Sequence, residues 1–430
     1  MSHVSPLLLF RRFAKTCRQE GIRTAASKVR SYIARRFRRN PVVQRTRPTG
    51  PEYLEPMWRT LAQQGAFHIS SAPAVLSKRR QIALIGDLNL PQCRKYRVEQ
   101  LAQFWQGQGI RLEYAHFEDI PRATRILQQA SHLMEYRLQC TPTTQMLRYE
   151  AHRLRLPILY DLDDPLFSVS AYETYSNMQA VGADQKSHFL AAAPSYLDMM
   201  NGADIVSVST PGMATHAALF SNRSIYLRRN FADAETLAAG RVMNTANKKQ
   251  PSIFRIAFAS GSCGHEADLE TILKPLTEFI LAAPNRRLRV LGHFDLKRLP
   301  KALLLQVEQC AFTTYSDYLN VLSEVDCAVV PLAKDAFNDC KSAVRVLDAA
   351  AVSVPSIVSD VGDLGFVVKE GETGYVARQA SDWEAILGQF VQPGCAEKMG
   401  QAARQNLETR WRASTAPHII DPEILRWVLA

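Results

Sequence analysis

Short apolar runs alternate with amphipathic segments from about residue 80 onward. The run "QIALIGD" (81–87) ends in Gly-Asp, which is typical of a buried parallel strand. The next segment, "YRVEQLAQFWQGQG" (96–109), has the apolar spacing of an amphipathic helix and ends at glycine. Further strand candidates follow, with helical segments between most of them: "IRLEYAHF", "ASHLMEYR", "PILYDLDD", "DIVSVST" and "RSIYLRRN".

The same alternation starts again beyond a polar stretch that follows Asn230. "FRIAFASGS" (254–262) and "CAVVPL" (327–332) are strand candidates of this second run. Two consecutive runs of this kind predict an α/β protein with two Rossmann-like, doubly wound domains that face a central cleft. Ligands of such sheets lie at the carboxyl ends of the strands, so the cleft is the expected site.

Prolines, polar stretches and charge set the expected domain boundaries. Several prolines precede the first strand, and the polar segment between the two runs is typical of an inter-domain connection. The last helices of the chain could also cross back and pack on the first domain. We expect a basic helical arm in 1–50, a linker and leading helix in 51–78, domains in 79–235 and 253–405 with a linker in 236–252 between them, and C-terminal helices in 406–430.

The composition favours a soluble protein of the cytoplasm. Of the 430 residues, 47% are hydrophobic and 22% charged. No apolar stretch approaches the roughly 18–20 residues that span a bilayer, and no secretory signal is evident. The eight cysteines are scattered, with neither a CxxC pair nor a spacing to histidine that suggests zinc. A reducing compartment is therefore expected.

The net positive charge of the chain comes from the N-terminal arm. Residues 1–50 contain thirteen Lys and Arg and one acid, whereas the remainder holds 39 basic and 40 acidic side chains. A basic amphipathic helix of this kind suits an anionic membrane surface, here through residues 1–45, and would place the protein on the inner face of the membrane. The alternative is a solvated arm. Nucleic acid is disfavoured as a partner because the balanced body offers no second basic patch.

The most informative stretch for chemistry begins at residue 327. It is predicted to form a strand, a loop and a helix whose polar face carries Lys341, Arg345 and Asp348. The helix is expected to start near Lys341 and Ser342, just beyond the end of a strand, where free backbone N–H groups favour a phosphate. Asp348 could then accept hydrogen bonds from ribose hydroxyls. The alternative is a solvated helix with ordinary i, i+4 charges.

Two polar segments of the first domain are also candidates. Asp161, Asp163 and Asp164 follow a strongly apolar run, so they are expected at the cleft, with a divalent metal as the alternative. "CRKYR" (93–97) follows the first strand, where cations commonly meet an acceptor or a phosphate. A helix start with exposed charges is the alternative for this segment.

The stretch "KSAVRVLDAAAVSVPSIVSDVGDLGFVVKEGETGYV" resembles the carboxyl-domain signature of family 4 retaining glycosyltransferases of the GT-B fold. Asp348 stands at the second Glu of the Glu-x7-Glu motif of that family, and Cys340 at the first. "FASGSCGHEADLETI" (258–272) is similar to the start of the same domain in a subgroup that builds bacterial surface polysaccharides. The resemblance extends over roughly residues 80–415.

This resemblance implies transfer of a sugar from a nucleotide-sugar to a glycan or lipid-linked acceptor, with retention of configuration, in cell-surface polysaccharide biosynthesis. Residues 79–235 would be the acceptor domain and 253–405 the donor domain, with no metal or cofactor. The residues implied are Lys341, His265 and Asp163 for catalysis; Ser260, Gly261, Lys341, Ser342, Arg345 and Asp348 for the donor; and Arg94, Tyr96, Arg97, Asp161 and Asp164 for the acceptor.

Two other functions stay open on the sequence. A sugar-nucleotide epimerase of the same fold would need acid–base groups in the cleft, and the aspartates at 161–164 could provide them. A non-catalytic glycan-binding relative is compatible with Cys340 and with Asp in place of Glu at position 348.

Overall fold

The computed structural model describes residues 80–179, 181–239, 253–261, 264–413 and 416–430, with four single positions before residue 80. The predicted arm (1–50), the leading helix (51–78) and most of the predicted linker (236–252) therefore lie outside the described residues, apart from those single positions. The chain divides into two compact units, Met1–Pro56 and Met57–Ala430, and all described residues from 80 onward belong to the second.

Within the described residues, twelve strands form two parallel six-stranded sheets. The first sheet has the order β2-β1-β3-β4-β5-β6, and the second has the order β12-β11-β10-β7-β8-β9. The strands of the first sheet, which define the amino half, are β1 Gln81–Gly86, β2 Arg111–His116, β3 His132–Tyr136, β4 Ile158–Leu162, β5 Ile205–Val208 and β6 Ser224–Leu227. Those of the second sheet, which define the carboxyl half, are β7 Phe254–Ser260, β8 Arg286–Gly292, β9 Val307–Cys310, β10 Cys327–Val330, β11 Ser356–Ser359 and β12 Gly374–Ala377.

Helices connect most of the successive parallel strands, as crossover connections require, and three further helices follow β12. In the amino half these are α1, which runs through Pro91–Arg94, a π-helical turn Lys95–Glu99 and Gln100–Gly107; α2 Ile120–Gln129; α3 Pro142–Arg153; α4 Val169–Thr174; α5 Ala183–Asn201; and α6 Pro211–Ala217. In the carboxyl half these are α7 Glu266–Glu270, α8 Leu273–Leu281, α9 Tyr315–Ser323, α10 Val344–Ala351, α11 Leu364–Val367, α12 Ala380–Phe390, α13 Cys395–Arg410 and α14 Pro422–Leu429. Short 3₁₀ turns are Ser176–Gln179, Leu296–Arg298, Lys301–Gln306 and Asn338–Cys340.

The predicted fold class of two doubly wound α/β domains is confirmed. Both sheets have an order that reverses once, between β1 and β3 in the amino half and between β7 and β10 in the carboxyl half. The crevice at such a reversal, beyond the carboxyl ends of the strands, is where open α/β sheets bind ligands. Arg137 follows β3 and Ser260 ends β7, so these residues mark the two reversal points.

Buried contacts join the two halves. Phe337 of the carboxyl half stacks on Tyr175 of the amino half, with ring centroids 4.2 Å apart and an interplanar angle of 15°. Arg229 forms a bidentate ion pair with Asp363, with N–O distances of 2.7 and 3.0 Å, and both side chains are buried. Because these side chains are buried where the two halves meet, the contact between the halves is part of the folded core.

The C-terminal segment packs on the amino half. The Trp427 carbonyl lies 3.1 Å from His132 Nε2 on β3, and Arg80 donates to the Ala430 carbonyl at 2.9 Å. Ile420 and Val428 are fully buried in a cluster that also contains Ile82. Among the residues that the structure describes, no helix is long and apolar enough to cross a bilayer.

Candidate functional site

A cleft of about 540 Å³ lies between the carboxyl ends of the two sheets. The amino half contributes Lys95 and Tyr96 from the π-helical turn of α1. The carboxyl half contributes the ends of β7, β8 and β9 and one face of helices α9 and α10. Five of the residues predicted from sequence line this cleft: Tyr96, Ser260, Gly261, Arg345 and Asp348.

Asp348 lies on α10 with only 3% of its surface exposed. Tyr96 of the amino half donates a hydrogen bond to its Oδ2 at 2.7 Å, and Tyr315 donates to its Oδ1 at 2.9 Å. Burial raises the pKa of Asp348 to about 7, although these two hydrogen bonds act in the opposite direction. A hydroxyl of a ligand could bind Asp348 by taking the place of Tyr96.

Arg345 lies one turn before Asp348 and lines the same cleft. Its guanidinium donates to the Ala259 carbonyl at 3.2 Å, next to the end of β7. Burial lowers the pKa of Arg345, and the charge of nearby Asp268 partly opposes this. Within the described part of the chain, Arg345 forms no ion pair with a carboxylate. Its charge is therefore available to an anion in the cleft.

The other cations near the cleft are already paired. Lys95 Nζ lies 2.7 Å from Asp233 and also contacts Glu235. Lys341 Nζ lies 3.1 Å from Asp164 Oδ1, and this ion pair joins the two halves. Helix α10 begins at Val344, whereas Lys341 has extended backbone with φ −69° and ψ 140°. The predicted helix start at Lys341 is therefore wrong by three residues, because a short 3₁₀ turn at Asn338–Cys340 precedes it.

His265 forms a pair with Asp268, with Nδ1 and Oδ2 2.9 Å apart. Asp268 also accepts from the Ala333 amide and from Asn338, each at 3.0 Å. Burial lowers the pKa of His265, and the charges of Arg345 and Lys341 lower it further against the opposing hydrogen bond to Asp268, which favours the neutral imidazole. Since an ionised carboxylate only accepts, Nδ1 carries the proton and Nε2 can accept a hydrogen bond from a hydroxyl.

Asp163 and Asp164 share a cation that sequence reasoning missed. Arg137 Nε lies 3.1 Å from Asp163 Oδ1, and its Nη2 lies 2.7 Å from Asp164 Oδ2. Tyr136 also donates to Asp163 at 3.0 Å. The only local signal for Arg137 is its position in "HLMEYR", directly after a buried strand.

Arg97 and Asp161 lie in the interior rather than on the cleft surface. Arg97 is fully buried and Asp161 is 4% exposed. Two arginines, Arg97 and Arg228, bind the Asp161 carboxylate, with the closest N–O distances 2.5 and 2.6 Å. Burial alone would raise the pKa of Asp161, but the two guanidinium groups lower it below its ordinary value. Both side chains are therefore paired within the protein, and neither of them lines the cleft.

The remaining predicted residues lie at the edge of the site. Arg94 is half exposed and pairs with Glu99 at 2.7 Å, as the alternative interpretation of a charged helix start describes. Ser342 Oγ accepts from Asn230 Nδ2 of the amino half at 3.0 Å. Among the described residues, no three His, Cys, Asp or Glu side chains converge as metal ligands. Each of the three aspartates instead faces a cation.

Comparisons with known proteins agree with the resemblance seen in the sequence. Residues 255–392 match the family model of glycosyl transferases group 1, which supports a glycosyltransferase domain in the carboxyl half. No curated protein is similar enough in sequence to match the chain.

Solved structures similar to this one are also glycosyltransferase-like in fold. Sucrose-phosphate synthase from Thermosynechococcus elongatus is 16% identical, with a TM-score of 0.51 over 78% of this chain and 95% of that one. HepE of Anabaena, solved in complex with UDP, is 11% identical, with a TM-score of 0.51 over 81% and 99%. WaaG, a glycosyltransferase involved in lipopolysaccharide biosynthesis, is 10% identical, with a TM-score of 0.53 over 81% and 99%. At these identities the likeness concerns the fold.

Proposed function

We propose that the protein transfers a sugar from a nucleotide-sugar, bound in the cleft, to a glycan or lipid-linked acceptor. The observation that carries this proposal is Arg345, a cation without a carboxylate partner among the described residues, in a cleft that both halves line. The leaving group of such a transfer is a nucleoside diphosphate, whose growing charge must be stabilised. A guanidinium suits this task because its fork of N–H groups matches phosphate oxygens.

The surroundings of Arg345 suit the rest of a nucleotide. Ser260 and Gly261 end β7 at the reversal of the carboxyl sheet, the point at which doubly wound folds bind nucleotides. Asp348 can accept from ribose hydroxyls once Tyr96 gives up its hydrogen bond. The complex of HepE with UDP, on a similar fold, supports the same class of donor.

The acceptor side of the proposal rests on His265. His265 Nε2 is suited to accept a hydrogen bond from a sugar hydroxyl, and its tautomer is fixed by Asp268.

Two cations, Arg345 and Lys341, lie close enough to lower the pKa of this histidine. We assign to these two cations the stabilisation of the diphosphate, without a metal ion. Retention of configuration follows from the resemblance, and a surface glycan as product is supported by the fold shared with WaaG.

Calorimetric titration with UDP, GDP and dTDP tests the donor site. We expect one of these nucleotides to bind, and Arg345→Met to weaken its binding by about tenfold or more, since a charged hydrogen bond to phosphate is lost. The matched control is Arg153→Met, which removes a half-exposed arginine on α3 that pairs with Glu150. Unchanged affinity of the Arg345 variant would move the diphosphate site elsewhere.

Product analysis separates the three functions. A glycosyltransferase releases the nucleoside diphosphate only in transfer to an acceptor or to water, and the anomeric proton signals of the product report retention. An epimerase converts one nucleotide-sugar into another without an acceptor. A glycan-binding relative yields neither product, and that result would overturn the proposed activity even if a nucleotide binds.

A further inference from the structure

Four charged side chains form a chain of contacts from the amino sheet to the carboxyl half. Asp163 contacts Arg137, Arg137 contacts Asp164, and Asp164 contacts Lys341, with N–O distances of 3.1, 2.7 and 3.1 Å. All four side chains are largely buried, with exposed fractions between 11% and 21%. The two oxygens of Asp164 therefore face two cations that belong to opposite halves.

Arg137 is held in place by the fold. It follows β3 at the reversal point of the amino sheet, which is the ligand-binding edge of such a sheet. Its φ is 51°, a left-handed backbone that is unfavourable for a residue with a side chain. Nη1 also donates to Cys93 Sγ at 3.1 Å. Two of its guanidinium nitrogens donate hydrogen bonds, to Cys93 and Asp164, and Nε lies within ion-pair distance of Asp163, so the group is fixed in position and direction.

The charges of this chain of contacts balance only because of Arg137. Asp163 and Asp164 carry two negative charges, and Arg137 and Lys341 carry two positive charges. Without Arg137, Lys341 would be the only described cation within ion-pair distance of Asp164, and Asp163 would have no cation in direct contact, so a surplus negative charge would lie beside Lys341. A diphosphate that approaches Lys341 would then meet repulsion and would compete with two carboxylates for one ammonium group.

We infer that Arg137 is a positioning residue of the donor site that acts through Asp164. It retains Asp164 on the amino side, so that Lys341 can leave Asp164 and contact the donor diphosphate. Arg137 itself need not touch the donor. This inference rests on the proposed function, because it assumes that a nucleoside diphosphate binds near Lys341.

Five proteins test this role by titration with UDP, GDP and dTDP: the wild type, Arg137→Met, Arg137→Lys, Asp164→Asn and the double variant Arg137→Met/Asp164→Asn. Arg137→Met should weaken nucleotide binding by about tenfold or more, since like charges at a binding site are costly. Asp164→Asn should tighten it, by about threefold or more, because Lys341 loses its competing carboxylate. The double variant restores the charge balance and should return to within about threefold of the wild type. Arg137→Lys keeps the charge without the fork and should lie between wild type and Arg137→Met.

The direction in which each variant changes nucleotide affinity distinguishes a positioning role of Arg137 from a merely structural one. If Arg137 only supported the fold, Arg137→Met and the double variant would both bind weakly, and no rescue by Asp164→Asn would appear; that result overturns the inference. Normal binding by Arg137→Met overturns it as well, and leaves the proposed function intact. Failure of the wild type to bind any of the three nucleotides overturns both together. If Arg137→Met does not fold, Asp164→Asn decides alone, and weaker or unchanged binding by that variant counts against the inference.

Discussion

The Tyr96 hydroxyl donates a hydrogen bond of 2.7 Å to Asp348 Oδ2 and so joins the amino half to helix α10 of the carboxyl half. Tyr96 belongs to the π-helical turn of α1, and such turns are frequent at functional sites. The carboxylate that is proposed to bind ribose is therefore occupied by a protein hydroxyl in the free cleft. Donor entry is then an exchange of one hydroxyl for another.

The pKa of Asp348 makes the stability of the protein depend on pH. This pKa is about 7 in the folded protein, whereas an unfolded aspartate has a pKa of about 4. Between these values the unfolded chain has released a proton that the folded protein keeps, so stability falls as the pH rises and levels off above about pH 7. The side-chain amide of the variant Asp348→Asn does not titrate, so this variant lacks that dependence.

We therefore expect Asp348→Asn to gain stability relative to wild type between about pH 4 and pH 7, by up to roughly 4 kcal/mol. Urea unfolding of both proteins across this range measures the difference in the free energy of unfolding. A difference that stays constant with pH would show that the Asp348 carboxyl titrates normally.

Asp161→Asn should destabilise the protein by about 3–5 kcal/mol, because it leaves the buried Arg97 and Arg228 without their counter-ion. Urea unfolding measures this loss. Glu372→Gln is the matched control: it removes a carboxylate from an exposed pair with Lys369 and should cost less than about 1 kcal/mol. An acceptor-binding Asp161, as the sequence predicts, would give the opposite pattern of a raised KM for acceptor with little change in stability.

Gly212→Ala should disturb the contact between the halves. A Cβ at Gly212 on α6 would lie 2.1 Å from the Asp339 carbonyl oxygen, which is backbone of the carboxyl half. The nearby hydrogen bond from Thr210 to the Cys340 carbonyl, 2.9 Å long, would have to change as well. We expect a loss of about 1–3 kcal/mol and weaker nucleotide binding.

Thermal unfolding compares Gly212→Ala with the control Gly388→Ala. Gly388 lies inside α12, and a Cβ added there would meet no atom within 4 Å, so alanine should stabilise the helix by up to about 1 kcal/mol. Equal unfolding temperatures of the two variants would mean that the halves can move apart at Gly212 without a loss of stability.

The fold was predictable because its signals are local. The run "PILYDLDD" contains β4, and the four apolar residues of this strand are all buried, as the apolar pattern predicts, together with Asp161. The start of α10 was misplaced because Lys341 and Ser342 look like a helix start in sequence, whereas the 3₁₀ turn before them diverts the chain. Boundaries of this kind depend on tertiary contacts that short patterns do not contain.

The site was predictable only where it follows from strand ends and helix faces. Arg345, Asp348 and Ser260 reach the cleft for that reason. The partners of Arg97 and Asp161 could not be predicted, because Arg97 and Asp161 are 64 residues apart and Asp161 and Arg228 are 67 apart. A charge at a strand end has the same local sequence whether it faces a ligand or a distant ion pair. Arg137 was missed on the same grounds.

The stack of Phe337 on Tyr175 bears on how the molecule melts. Phe337 is buried in an aromatic cluster of the amino half. If either half unfolded, the other half would therefore lose part of its buried core. Heat should therefore disrupt both sheets in one cooperative step, with a calorimetric enthalpy that matches the van't Hoff value. The two sheets would then unfold as one thermodynamic unit, although each has its own topology.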